Sequence, residues 1–378
     1  MSDRIHDVIV VGGGLAGSSL ALLLARQGKD VLLFDRAGFP REKICGEGLM
    51  PAGVAILERL GARVSGAAFQ GVRYHFSGRC VAGRFPNGAK ALGVRRRELD
   101  HILLELARRE TNMTVLTGAR VDGPLCIEGR VVGVVAQGAE HRGRLVVGAD
   151  GGNSSLRYQL GWDATPRSRR FGLRGHFRLR GDRQPSDWVN VFLEGERELY
   201  VTPLSGGECV AALLQPANGR MTLQQAIQRQ TAIAEYLQGA ELLDQIAGAA
   251  PLSVRAKRRA AAGFVLLGDA AGSCDPITGG GMSQALLGST LLATYTARKF
   301  PLTEADLLAF DRQREAMLAD YRRLTGAMLW LSNKPWMVKH ALGFIGGAPA
   351  MFSHLLGVAA GMRPLLGQWQ TKGSGVAA

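Results

Sequence analysis

The chain has 378 residues, 46% apolar and 21% charged, which excludes a mainly disordered protein. Its 51 glycines follow no three-residue period, which excludes a collagen-like one. Lys and Arg exceed Asp and Glu by 46 − 32 = 14, a balance that attracts anions such as a phosphate-bearing cofactor, anionic lipid, nucleic acid or an acidic partner. The basic residues are mostly spread through the chain, with short clusters at Arg95–Arg97 and Arg255–Arg259 and no nucleic-acid motif beside them, so nucleic acid is not an expected ligand. Cys45, Cys80, Cys126, Cys209 and Cys274 form no C-x-x-C pair. That pattern opposes a disulfide scaffold or a cysteine zinc site and suits a reducing cytoplasm. The seven histidines show no metal-ligand spacing, and no metal is expected.

In chain order, the polar start Met1–Asp7 and the break at Gly12-Gly13-Gly14 do not read as a signal peptide. Asp7–Val11 is a β-branched run suited to a buried parallel strand. Gly12-Gly13-Gly14-Leu15-Ala16-Gly17 follows, fitting G-x-G-x-x-G, and opens an apolar helix over 15–26 that Gly28 stops. A second strand over 30–34 ends at Asp35 and Arg36. Gly12 permits the tight turn, Gly14 lets backbone approach a pyrophosphate, and Gly17 lets helix and strand pack closely. The first-turn N–H groups of Leu15 and Ala16 then face the phosphates. Asp35, 18 residues beyond Gly17, is placed to accept hydrogen bonds from an adenosine ribose. A dinucleotide site is therefore expected.

Next comes Arg41-Glu42-Lys43-Ile44-Cys45-Gly46-Glu47-Gly48-Leu49. Residues 71–93 alternate as short strands through Val72, Tyr74, Phe76, Val81 and Phe85. Arg96-Arg97-Glu98-Leu99-Asp100 opens a helix, with Arg95 and Arg97 expected in solvent. A strand over 145–147 leads into Gly148-Ala149-Asp150-Gly151-Gly152-Asn153-Ser154-Ser155-Leu156-Arg157. Strand-like runs follow at 171–180, 188–193, 198–203 and 208–214, then helices over 223–237 and 241–246. His75, His176, Trp188 and Tyr200 lie on these strands, as pocket lining or as packing. Phe264–Leu267 reads as a buried strand ending at Gly268-Asp269. Gly279-Gly280-Gly281 precedes a helix over 282–298 whose start, at Met282, can face an anion. The uncharged stretch 341–362 reads as two short helices broken near Gly346-Gly347-Ala348-Pro349, either capping the domain or touching a membrane surface through 335–365.

These motifs together resemble the group A flavoprotein monooxygenase and geranylgeranyl reductase superfamily. Gly148–Arg157 is similar to its G-A-D-G-x-x-S-x-x-R signature, and Gly268–Gly281 to its G-D-A-A … P-x-x-G-x-G segment. Arg96–Leu103 resembles its R-x-x-L-D-x-x-L helix, and Lys43-Ile44-Cys45-Gly46 the K-x-C-G loop of the reductases. The resemblance implies an α/β chain: a Rossmann-type FAD-binding domain (1–70, 94–165, 252–300) interleaved with a mixed or antiparallel β-sheet substrate domain (71–93, 166–251), and a C-terminal helical region (301–378). It implies FAD held by Gly12, Gly14, Leu15, Ala16, Gly17, Asp35, Arg36, Arg41, Cys45, Gly46, Arg96, Asp150, Gly268, Asp269, Gly279, Gly280, Gly281 and Met282. NAD(P)H would bind transiently as reductant.

Three reactions remain open. One is oxygen-dependent hydroxylation or epoxidation of a hydrophobic aromatic, polyketide or prenyl compound, free or linked to a carrier protein or coenzyme A. The second is reduction of an isoprenoid double bond, favoured by Gly272 where many hydroxylases carry His. The third is halogenation, weakened because Glu198-Leu199-Tyr200-Val201-Thr202-Pro203 stands where halogenases carry W-x-W-x-I-P.

Overall fold

The computed structural model describes residues 4–366, apart from 163, 167–169 and 182. The end of the expected C-terminal region, 367–378, lies outside the described residues. Hydrophobic strands that must be covered on both faces make the first sheet. Its parallel strands run in the order Phe264–Leu266, Ala139–Gly148, Ile5–Val11, Val31–Asp35, Met113–Thr117. Val8, Ile9 and Val10 in the central strand have no exposed surface. The order reverses direction between Ile5–Val11 and Ala139–Gly148. In doubly wound sheets that is where a crevice opens at the carboxyl ends of the strands.

Both faces are covered. The helices Leu15–Arg26, Gly281–Arg298 and the start of Glu304–Ser332 bury Leu20, Leu24, Leu292 and Phe310 against one face. Val131, Val134, Trp162 and Phe264 fill the other, beneath an antiparallel meander of Val121–Ile127 and Arg130–Ala136. Phe264 and Trp162 meet edge to face, ring centroids 5.4 Å apart.

The second sheet is mixed, one of the two arrangements expected for it. Gly71–Phe76 lies parallel to Val189–Glu194, and its other pairings are antiparallel. Period-two alternation gives it two chemical faces. Leu199, Val201, Ala211 and Leu213 pack beneath the helices Leu223–Arg229 and Thr231–Tyr236. Tyr74, Val191, Tyr200, Ala212 and Arg174 are successive cross-strand neighbours on the opposite face, toward the first sheet's loops.

Three expectations are corrected. The helix expected over 223–237 breaks at Gln230, whose φ/ψ of −107°/93° is extended. The helix expected over 241–246 is instead a strand pair, Glu241–Leu242, on Phe177–Arg178. There the tertiary pairing overrides local propensity, and Asp244 is drawn onto His176. Phe85 falls just beyond its strand, which ends at Arg84. Among the described residues no single helix is long and apolar enough to cross a membrane. Removing the Phe264 ring should leave a cavity beside Trp162. Phe264→Ala is expected to cost about 3–5 kcal/mol in denaturant unfolding; a loss under 1 kcal/mol would show that the site collapses freely.

Candidate active site

Steric fit builds the site first. Gly12 has φ 108°, and a Cβ there would overlap the Ala149 carbonyl. A Cβ at Gly17 would overlap the Gly12 carbonyl. These contacts draw the carboxyl ends of Ile5–Val11 and Ala139–Gly148 together under the helix start. Gly14 differs: a Cβ there would meet only the Arg41 guanidinium, at 3.5 Å, so the space in front of it is open to a ligand. No side chain caps that helix, and its first N–H groups at Leu15 and Ala16 face the opening.

Asp35 is buried at the end of its strand. It accepts hydrogen bonds from Gly13 N–H at 2.7 Å and Ala37 N–H at 2.8 Å. Arg41 reaches Asp35 Oδ2 at 3.6 Å and Asp100 Oδ2 at 3.5 Å. Arg36 is exposed and takes no part in this cluster. Asp150 holds the N-terminus of Ser155–Gln159 through Ser155 N–H at 2.8 Å. Its Oδ1 is buried without a hydrogen-bond partner among the described residues, an acceptor beside the Gly12 turn. Arg157 ties this segment to the last motif by donating to the Ala270 carbonyl at 2.7 Å.

Gly268 (φ 59°) passes close to Ala16 and presents Asp269, which pairs with Lys43 at 3.5 Å. The Gly279 N–H bonds the Pro276 carbonyl at 2.8 Å, and the Gly280 N–H bonds Tyr321 Oη at 3.1 Å. Those two amides are therefore spent inside the protein. The first-turn amides from Gly281 and Met282 onward carry no side-chain cap. The Met282 side chain is buried in the core. Tyr321, on the helix Glu304–Ser332, buttresses the glycine turn, a role no motif announced.

The loop Arg41–Leu49 joins both sheets. Glu47 has no exposed surface and φ 57°. Its carboxylate accepts from Arg96 N–H at 2.8 Å and meets His176 Nε2 at 2.8 Å. His176 Nδ1 in turn lies 2.7 Å from Asp244, which also pairs with Arg174. Arg174 reaches Glu42 at 2.9 Å as well. Glu42, His176 and Asp244 could converge on a metal by distance alone. The Arg174 guanidinium already occupies both carboxylates, and a second cation there would be repelled. Arg96 is buried in a bidentate pair with Asp100, at 2.9 and 2.8 Å. Arg95, expected in solvent, instead pairs with Glu208 at 3.2 Å, while Arg97 is exposed. Cys45 is a free thiol that accepts from Glu47 N–H at 3.4 Å. Gly46 packs so close to the Tyr200 ring that any side chain there would overlap it.

Facing these loops is a group that sequence reasoning passed over. Arg170 bridges Glu198 and Asp275, each at 2.9 Å. Burial pushes the Glu198 carboxyl up from 4.5 to about 7; Arg170 opposes the shift and Asp275 adds to it. Burial also raises the phenols of Tyr74 and Tyr200, so both stay protonated. Glu198 was legible only as a polar residue in a strand; its environment comes from chain far away. His75, by contrast, is packing: it stacks on Phe192 at 4.2 Å.

A family model described as FAD binding domain matches residues 6–300. The chain belongs to that family. It is an FAD-dependent oxidoreductase. It is 29% identical over 310 residues to a menaquinone reductase of Mycolicibacterium smegmatis, spanning 74% of this chain and 73% of that one. It is 39% identical over 177 residues to 6-methylpretetramide 4-monooxygenase of Streptomyces rimosus, spanning 42% of each. Among solved structures, the myxobacterial chondrochloren halogenase CndH has a TM-score of 0.77 at 22% identity, covering 94% of this chain and 97% of the other. P. aeruginosa PqsL has a TM-score of 0.76 at 22% identity, covering 88% and 98%. These likenesses show the shared fold.

The residues fit the cofactor. An open cradle at Gly14, an uncapped helix start, the buried carboxylate of Asp35 against the glycine turn and an orphaned acceptor at Asp150 suit a dinucleotide. Asp35→Ala should lower bound flavin severalfold, read from the absorbance ratio of the purified protein, with the far-UV spectrum unchanged. Full flavin occupancy would show that Asp35 is not on the ribose.

Glu198 sets a pH dependence. Its folded pKa lies above its ordinary value, so between about 4.5 and 7 the native state holds more protons than the unfolded chain. Stability should therefore fall as pH rises through that window. Glu198→Gln should flatten this part of the Tm profile; an unchanged slope would place the titration elsewhere.

Proposed function

We propose that this flavoprotein is an NAD(P)H-dependent monooxygenase acting on a lipophilic, electron-rich small molecule. The carrying observation is the chemistry of the sheet face opposite the cofactor loops. Met50, Val72, Val191 and Phe352 form one apolar cluster there, with Tyr74 and Tyr200 packed against it. Glu198 and Arg170 mark its polar edge. The cluster is buried, and a substrate seated along its edge would meet an apolar lining that orients a ring or chain and excludes water.

When bound, FAD would supply the redox chemistry, with NAD(P)H as hydride donor and oxygen as acceptor. The chain's own residues do the rest. Gly14, Leu15 and Ala16 hold the pyrophosphate with N–H groups. Asp35 orients the adenosine end, and Arg41 adds a cation beside it. The uncapped helix start at Gly281 and Met282 would lend positive potential to a negatively charged reduced flavin beside it. Tyr200, pressed against Gly46, fixes the width between loop and sheet. Glu198, half-protonated near neutrality, holds or releases a proton at its carboxyl oxygen. The Streptomyces relative, named as a monooxygenase, supports this reading.

A second reading is a double-bond reductase. The Mycolicibacterium relative, named menaquinone reductase and aligned over most of both chains, favours it, as does Glu198 as a proton donor.

Turnover of alkylated phenols and prenylated naphthoquinones, under ¹⁸O2 and under argon, separates the two. The monooxygenase reading expects substrate-stimulated NAD(P)H oxidation, one ¹⁸O atom per product and no product under argon. A product two hydrogens heavier, formed under argon, would overturn it in favour of the reductase.

A further inference from the structure

One surface is unused by the site. The helices Pro335–Gly347 and Pro349–Ala359 meet at a bend of 108°. Their inner side is spent on packing: Val338, Leu342, Phe352 and Leu356 are buried, and Phe352 lies 6.0 Å from Tyr74. Gly346 rests on Val81 of the second sheet's edge strand. The pair is thus a wall of the candidate substrate face.

The outer side is different. Trp336 is 68% exposed, Phe344 69% and Trp330, one helix earlier, 54%. Trp336, His340, Gly343, Phe344 and Gly347 recur at helical spacing and form one exposed face. Cations accompany the rings. The Lys334 ammonium sits 3.8 Å from the Trp330 ring centroid, Lys339 is exposed, and Arg79 flanks Gly343 at 3.7 Å from its would-be Cβ. From Tyr321 to the C-terminus the sequence has no Asp or Glu, but it has Arg322, Arg323, Lys334, Lys339, Arg363 and Lys372. Among the described residues the face is therefore apolar and aromatic, with the cations Lys334, Lys339 and Arg79 beside it.

We propose that this face docks on an anionic lipid surface, with the helix pair at headgroup depth and the site behind it open to bilayer-dissolved substrate. Trp rings favour the membrane interface, and Lys and Arg favour anionic headgroups. The bend and the short helices suit lying in the interface rather than spanning it. A second copy of the chain would bring like charges face to face. Delivery of substrate rests on the proposed function; docking does not.

The test is sedimentation of the purified holoprotein with phosphatidylcholine vesicles, with and without phosphatidylglycerol, at low and high salt. Binding is expected on the anionic vesicles and should weaken in salt. It should fall about tenfold or more in Trp336→Ser/Phe344→Ser and, to a lesser extent, in Lys339→Glu. Flavin content and Tm serve as folding controls for these exposed positions. Absence of wild-type binding, or equal binding by the double variant, overturns the proposal. A dimer in sedimentation velocity that the double variant abolishes would assign the face to a second copy and also overturn it. Lipid-free turnover of a water-soluble substrate reads the catalytic assignment separately, so the two can fail independently.

Discussion

A carboxylate without access to water, Glu47, holds the architecture of the site together. A buried charge is tolerated only when its oxygens are satisfied. One oxygen takes the N–H that opens the helix Arg96–Arg108, and the other meets His176 on the second sheet. The residue adopts a left-handed conformation to reach both. The loop that carries it also sends Arg41 to the glycine turn, Lys43 to Asp269 and Gly46 to Tyr200. Glu47, together with the pairs Arg174–Glu42, Arg95–Glu208 and Arg170–Asp275, therefore ties the cofactor turn to the second sheet.

That tie gives the strand Arg197–Pro203 its importance. Leu199 and Val201 anchor it in the sheet's own core, and Glu198, Tyr200 and Thr202 point toward the cofactor loops. The acid on this strand is held near neutrality by burial, with Arg170 keeping it from being fully unpaired. Structure and chemistry are shared cleanly: one face of each strand stabilises, the other positions.

The glycine turn, its helix and the strand ending at Asp35 were legible because local physics specifies them. A backbone overlap at Gly12 or Gly17 leaves no substitute for glycine, and hydrophobic periodicity marks the strand and helix on either side. The helix Leu15–Arg26 stands where the pattern placed it. The bend before Pro349 was legible for the same reason, since proline and glycine punctuate locally. What stayed hidden was held by contacts distant in sequence. Asp244 read as part of a helix because nothing nearby announces His176, 68 residues away. Tyr321 gave no sign that it would bond the Gly280 amide. Glu198 looked like a polar strand residue until Arg170 and Asp275 enclosed it.

The central claim is that FAD lies between the glycine turn and the face of the second sheet. A crystal structure of the chain with FAD bound tests it most directly. The account places the pyrophosphate on the amides of Gly14 to Ala16, the adenosine ribose on Asp35, and the isoalloxazine between Gly46 and the helix start at Gly281. An isoalloxazine lying away from Tyr200, or a pyrophosphate off the Leu15–Arg26 helix start, would contradict it.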